Sequence, residues 1–181
     1  MRLVILDRDG VINYDSDAYI KSPEEWRPIP GSLEAIANLT HAGFTVTVAS
    51  NQAGVARGLF DLDTLAAIHR KMQAAVEQAG GELAGIFYCP HGPDDGCDCR
   101  KPKPGLLKQI AQDFGTSLHG VPAVGDSLRD IEAAESVGAR PILVRTGKGE
   151  ITLASLGDSL RVEVFKNLAA AAEQLLREAQ A

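Results

Sequence analysis

The feature that most constrains this chain is the run Leu3-Val4-Ile5-Leu6, followed at once by Asp7-Arg8-Asp9-Gly10. Four consecutive branched aliphatics suit a strand buried on both faces, the kind found inside a parallel sheet. The run stops at two aspartates one residue apart. In open α/β sheets, ligands bind just beyond the carboxyl ends of the strands. A carboxylate pair there is costly unless a cation neutralises it, because like charges a few ångströms apart resist joint ionisation. The competing reading is an ordinary strand ending in a solvated acidic turn, and the rest of the chain decides between the two.

The apolar pattern repeats the same unit along the chain. A polar, Tyr-rich connector (14–30) is long for a structureless link, which hints at a binding role. Gly31-Ser32 opens a helix closed by Gly43, with Leu33, Ile36, Ala37 and Thr40 on one face. The segment 44–49 reads as a second strand, with Ser50-Asn51-Gln52 following it. A long helix begins near Leu62 and carries the stripe Leu65, Ile68, Met72, Ala75, Val76, Ala79. His69 falls off that stripe and reads as a surface residue; His41 and His119 have no evident partners.

Strands are predicted at 85–89, 121–124, 141–144 and 162–165, with helices at 104–114, around Ile131 to Val137, and from 168 to 178. Alternating strands and helices define an α/β fold with a doubly wound parallel sheet. With no internal repeat and no linker, residues 1–181 are expected to form a single domain.

A formal charge of −6 argues against a general nucleic-acid surface. No apolar run approaches the roughly 20 residues needed to span a membrane, and the N-terminus lacks a signal-peptide pattern. The expected compartment is the cytoplasm. All three cysteines fall between positions 89 and 99, which in a reducing compartment points to metal rather than disulfide. The segment Cys89-Pro90-His91 followed by Cys97-Asp98-Cys99 offers three thiolates and one imidazole. That set suits a closed, structural Zn²⁺ site, pinning a Gly- and Pro-rich loop that has no core of its own. The alternative is three idle thiols beside a surface histidine.

Asp7 and Asp9 follow strand one, Ser50 and Asn51 follow strand two, and Asp126 follows strand four, while Arg100-Lys101 precede a helix. A parallel sheet brings all of these to one edge. Aspartates with a hydroxyl and a lysine suit a divalent cation and a phosphate, and oxygen-only ligation favours Mg²⁺.

These pieces, Asp7-Arg8-Asp9-Gly10, Ser50, Lys101 in Lys101-Pro102-Lys103-Pro104-Gly105, and Gly125-Asp126-Ser127-Leu128-Arg129-Asp130, resemble the haloacid-dehalogenase-like phosphohydrolases over about residues 3–146. The resemblance implies Asp7 as nucleophile and Asp9 as general acid and base. It implies Mg²⁺ on Asp7, the Asp9 carbonyl and Asp126, with Ser50 and Lys101 gripping the phosphoryl oxygens and Asp130 supporting the metal site. A zinc-pinned loop in place of a large cap domain narrows the resemblance to a subgroup acting on a heptose 1,7-bisphosphate or on histidinol phosphate. There Asp15, Ser50, Asn51, Gln52, Ala53, Arg100 and Lys101 would contact a small sugar phosphate. The expected reaction is loss of the 7-phosphate of the heptose bisphosphate, in a pathway feeding lipopolysaccharide, by a monomer. The alternatives are histidinol-phosphate hydrolysis and a zinc-stabilised phospho-aspartate switch. Ser127 stands where many relatives carry a basic residue, so the resemblance carries over no substrate contact to that position and leaves its role open. Arg8 and Arg57 either add positive potential near the site or are plain surface charges.

Overall fold

In the computed structural model, which describes residues 1–159 and 161–181, the opening aliphatic run forms β1 (Arg2–Leu6). The chain continues through α1 (Ser32–His41), β2 (Phe44–Asn51), α2 (Leu62–Gln78), β3 (Gly85–Cys89) and α3 (Gly105–Asp113). It ends with β4 (Pro122–Gly125), α4 (Leu128–Ser136), β5 (Arg140–Val144), α5 (Gly149–Leu156), β6 (Glu163–Phe165) and α6 (Leu168–Gln180). The strands make one six-stranded sheet of order β3-β2-β1-β4-β5-β6, and every pairing is parallel. This is the strand order of a doubly wound fold, with its switch point between β1 and β4.

Because strand side chains alternate, β1 serves two cores. Val4 and Leu6 join Val46, Val48, Val124 and Ile142 under α1, α2 and α6. Leu3 and Ile5 join Ala49 under α3 and α4, against Leu106, Ile110 and Ala133. β1 is therefore apolar without a break, as a strand covered on both sides must be. Register then fixes the site. Leu6 pairs with both Val48 and Val124, so Asp7 leaves the sheet between β2 and β4, its N–H bonded to the Val124 carbonyl at 2.9 Å.

Three features differ from the sequence reading. β2 runs on through Ser50 and Asn51, which still pair with Tyr88 and Cys89 of β3 rather than following the strand. A helix, α5, also stands where no element is expected. Ile151 on it is exposed and only Gly149 and Thr152 are buried, so α5 has no apolar stripe to announce it. The 14–30 connector is not structureless either. Ile20, Trp26 and Ile29 are buried, and it folds back through Tyr14 N–H to the Arg27 carbonyl (3.0 Å) and Ile29 N–H to the Ile12 carbonyl (2.9 Å).

Candidate active site

Asp7 and Asp126 are brought together by the neighbouring ends of β1 and β4, and Asp130 follows on the first turn of α4. One carboxylate oxygen from each of the three lies within 4.8 Å of the others. They are not equivalent. Asp130 accepts bonds from the N–H groups of Asp126 (3.1 Å) and Ser127 (3.0 Å), from Ser127 Oγ (2.8 Å), and from Lys101 Nζ (2.6 Å). Burial opposes its ionisation, but Lys101 and the Ser127 bonds outweigh that and hold it below the usual carboxylate range. Its oxygens are occupied by the helix cap and the lysine. Asp7 and Asp126 are left as the pair able to accept a cation. Burial together with the Asp130 charge pushes Asp7 well above its usual value and Asp126 up to about 7. Excess negative charge on hard oxygen donors fits Mg²⁺.

Asp126 is also fixed from a direction the sequence did not announce. Its Oδ2 accepts the Lys148 N–H (2.8 Å) and its carbonyl accepts Thr152 Oγ1 (2.8 Å), both from the turn into α5 and its first turns. Gly10 (φ +85°) and Gly147 (φ +59°) approach this carboxylate so closely that a Cβ on either would overlap Asp126 Oδ2. Here glycine is needed for conformation and for space.

Lys101 is 5% exposed, and its Nζ donates to Asp7 Oδ1 (3.1 Å), Asp130 Oδ1 (2.6 Å) and the Ala49 carbonyl (2.7 Å). Burial disfavours the ammonium, yet Asp130 and Asp7 outweigh it and raise its pKa, so it stays charged. Asn51 does not reach outward from β2. Its Nδ2 donates to the Lys101 carbonyl (3.0 Å) and its Oδ1 accepts the Lys101 N–H (3.0 Å).

Asp9 lies beside Asp7 with both oxygens engaged. Oδ1 accepts from Arg8 Nε (3.0 Å) and Asn13 Nδ2 (2.9 Å), and Oδ2 from Arg8 Nη2 (3.1 Å) and Gln52 Nε2 (3.0 Å). Burial raises the pKa of this carboxyl, but Arg8, Asn13 and Gln52 more than offset it and hold Asp9 below its usual value. Gln52 Nε2 also donates to Ser50 Oγ at 2.7 Å, joining the hydroxyl on β2 to the Asp9 carboxylate. Arg8 is fully buried, not a surface charge. His69 is 7% exposed and meets Arg8 Nη1 through Nε2 at 3.1 Å, so the surface reading of His69 is corrected. The buried positions of α2 are Leu65, Ile68, His69, Met72 and Val76, a stripe shifted to take in His69 and to leave Ala75 and Ala79 only half-buried.

The loop after β3 gathers Cys89, His91, Cys97 and Cys99, with one ligand atom of each within 4.8 Å of the others. Cys89 Sγ lies 3.5 Å from His91 Nδ1, 3.6 Å from Cys97 Sγ and 3.0 Å from Cys99 Sγ. A tetrahedral zinc with Zn–S of about 2.3 Å sets sulfur edges near about 3.8 Å, so the four groups fit that ion after small shifts. The loop passes straight into Arg100 and Lys101.

The sheet edge opens into a cleft of about 310 Å³, lined by Asp7, Asp9, Asp15, Gln52, Ala53 and Lys101 among others. Arg57, Arg100, Arg129 and Lys148 supply its cations, and Lys148 Nζ lies 3.8 Å from Asp15. Tyr19, whose φ of +65° is unusual for a residue with a side chain, lines the same cleft under the Arg57 guanidinium, 5.7 Å from the ring centroid. Asp7, Asp9, Asp126, Lys101, Arg100, Asp15, Asn51, Gln52 and Ala53 thus converge on one cleft, while Ser50 sits almost wholly buried behind Gln52. Arg129 and Lys148 were missed. Arg129 adjoins Asp130, and Lys148 lies in the Gly147-Lys148-Gly149 turn, a signal that could have flagged it.

A parallel α/β sheet carrying an aspartate at the end of its first strand, a second aspartate two residues on, a buried lysine and a clustered carboxylate pair defines a haloacid-dehalogenase-like phosphatase. Family comparison agrees: a HAD-hydrolase-like model matches residues 98–171, and a polynucleotide kinase 3 phosphatase model matches residues 3–127. The chain is 60% identical to the D-glycero-β-D-manno-heptose-1,7-bisphosphate 7-phosphatase of Bordetella bronchiseptica, covering 99% of this chain and 100% of that one. The enzyme of the same name from Pseudomonas putida is also 60% identical, over 97% and 100%. A crystal structure of the B. bronchiseptica D,D-heptose 1,7-bisphosphate phosphatase, complexed with magnesium and phosphate, superposes with a TM-score of 0.95 over 98% of this chain and 99% of that one, at 60% identity. The chain belongs to this phosphatase family.

Proposed function

We propose that this enzyme removes the 7-phosphate of D-glycero-β-D-manno-heptose 1,7-bisphosphate, a step toward the heptose of lipopolysaccharide. The observation that carries the reading is that four cations, Arg57, Arg100, Arg129 and Lys148, line the same small cleft as Asp7. A substrate with a second anionic group fits that rim; histidinol phosphate, which carries an amine, gains nothing from it. The acidic chain and the small cleft also support a small-molecule substrate over a polynucleotide. No helix among the described residues is long and apolar enough to cross a membrane, and reduced thiols at the metal loop favour a cytoplasmic setting.

Asp7 attacks phosphorus, forming a bond from its carboxylate oxygen as the bond to the sugar oxygen breaks. Asp9, ionised in the free enzyme, takes up a proton when the anionic substrate binds beside it and gives that proton to the departing alkoxide. It then takes a proton from the water that attacks phosphorus, the Asp7–phosphate bond breaks, and inorganic phosphate leaves. Lys101 stabilises the phosphoryl oxygens, and Ser50 joins it once the Gln52 amide that covers its hydroxyl turns aside. Arg100, Asp15, Asn51, Gln52 and Ala53 form the walls that orient the rest of the substrate, Asn51 doing so by fixing Lys101. Asp7, the Asp9 carbonyl and Asp126 would hold Mg²⁺, which when bound would supply the positive charge that lets a phosphate approach an ionised Asp7. Cys89, His91, Cys97 and Cys99 would hold Zn²⁺ in a structural role, because four protein ligands leave no open position.

The test is phosphorus NMR of the bisphosphate turned over with Mg²⁺. Loss of the C7 phosphate resonance with the anomeric phosphate retained is expected. Loss of the anomeric phosphate instead would overturn the assignment.

A further inference from the structure

We propose that His69 is a positioning residue for Asp9, acting through the buried Arg8 guanidinium. Arg8 presents its Nε and Nη2 edge to the two oxygens of Asp9 and its Nη1 to His69 Nε2 at 3.1 Å. Arginine has only donors, so Nε2 must accept, and the ring proton sits on Nδ1. Burial and the adjacent guanidinium depress the His69 pKa to about 3, which keeps the ring a neutral acceptor across the working range.

The need for such an acceptor follows from burial. Arg8 has no exposed surface, so water cannot satisfy Nη1. A buried donor without a partner is costly, and a guanidinium free at one end turns toward any acceptor in reach. Because the fork is planar, rotation that rehouses Nη1 also swings Nε and Nη2 away from Asp9. His69 is held on the core side of α2 next to Ile68 and Met72, and its ring packs at 5.6 Å from that of Tyr88. The path therefore runs from a helix packed on the sheet, through one fork, to the carboxylate in the cleft. General acids lose efficiency steeply when misplaced by about 1 Å.

This inference rests on Asp9 being the acid and base, and the experiment separates the two claims. His69→Phe keeps the ring shape beside Tyr88 and removes only the acceptor; His69→Gln returns an acceptor oxygen. For each variant, and for Asp9→Asn, kcat/KM is measured on a sugar phosphate and on 4-nitrophenyl phosphate, whose leaving group needs no proton. General acid catalysis is worth about 10²–10⁴-fold, and a displaced acid forfeits part of it. His69→Phe is expected to lose at least about tenfold on the sugar phosphate, to lose less than about threefold on the aryl phosphate, and to be rescued by Gln. Should His69→Phe fail to fold, Arg8→Lys breaks the fork with His69 intact and is expected to show the same leaving-group selectivity. Equal loss on both substrates, or none, overturns the positioning role. If Asp9→Asn itself shows no selectivity, the acid assignment falls first and takes this inference with it.

Discussion

Asn51 pairs its side-chain amide with the backbone of Lys101 in both directions, at 3.0 Å each way, although fifty residues separate them. A strand end in the sheet thereby holds the loop residue whose ammonium bridges Asp7 and Asp130. The amide acts as a substitute for one more rung of sheet pairing. Asn51→Ala removes both bonds and is expected to lower kcat by about tenfold and stability by about 1–3 kcal/mol, read by steady-state kinetics and urea unfolding.

Lys101 itself donates to Asp7, the proposed nucleophile. Lys101→Met keeps the buried stem and deletes the charge, leaving Asp7 and Asp130 uncompensated. A loss of about 10²–10³ in kcat is expected from removal of one preorganised transition-state donor. A melting experiment without Mg²⁺ is expected to show destabilisation as well.

The carboxylate pair predicts a pH-dependent response to metal. Asp126 sits at about 7 in the folded chain against its usual 3.8. Between those values the folded state binds the extra proton, so metal-free stability falls as pH rises from about 4 to about 7. Asp7 shifts in the same direction and adds to the slope. Mg²⁺ needs the ionised forms, so its stabilisation is expected to be larger at pH 8 than at pH 5.5. Thermal melts with and without Mg²⁺ at the two pH values check this; an equal shift at both would contradict it.

Gly147 is a sterically sensitive position outside the opening motif. A Cβ there meets Asp126 Oδ2 and the Gly10 backbone, and the positive φ disfavours a side chain independently. Gly147→Ala is expected to weaken Mg²⁺ activation at least about tenfold, through the roughly 1 Å displacement such an overlap forces on a catalytic group. Gly157, with nothing near its Cβ position but also at positive φ (+51°), is the control for backbone strain alone.

Stripping zinc is expected to inactivate the enzyme even with Mg²⁺ in excess, because the loop that delivers Arg100 and Lys101 loses its pin. Cys97→Ser should reproduce the effect by lowering zinc occupancy, measured by metal analysis beside activity. Full activity at zero zinc would contradict the structural role.

The sheet and the principal acids were legible because each rests on a local signal: unbroken aliphatics for β1, and an aspartate at the end of β1 and β4. The cysteine loop was legible by ligand spacing. His69 was not, because a histidine on the core side of α2 breaks the apolar pattern by which that side is traced, and its partner Arg8 lies 61 residues away. α5 was hidden for the opposite reason, since a helix buried only at Gly149 and Thr152 needs no stripe. Asn51 was legible as a site residue, but its bonding to Lys101 depends on long-range register that no local pattern encodes.

The measurement that tests the central claim most directly is kcat/KM with Mg²⁺ for D-glycero-β-D-manno-heptose 1,7-bisphosphate, the corresponding 7-monophosphate and histidinol phosphate. The cationic rim should favour the bisphosphate by at least about tenfold over either, the scale of one charge-assisted contact of about 1.5–3 kcal/mol. Equal or better turnover of histidinol phosphate would contradict it.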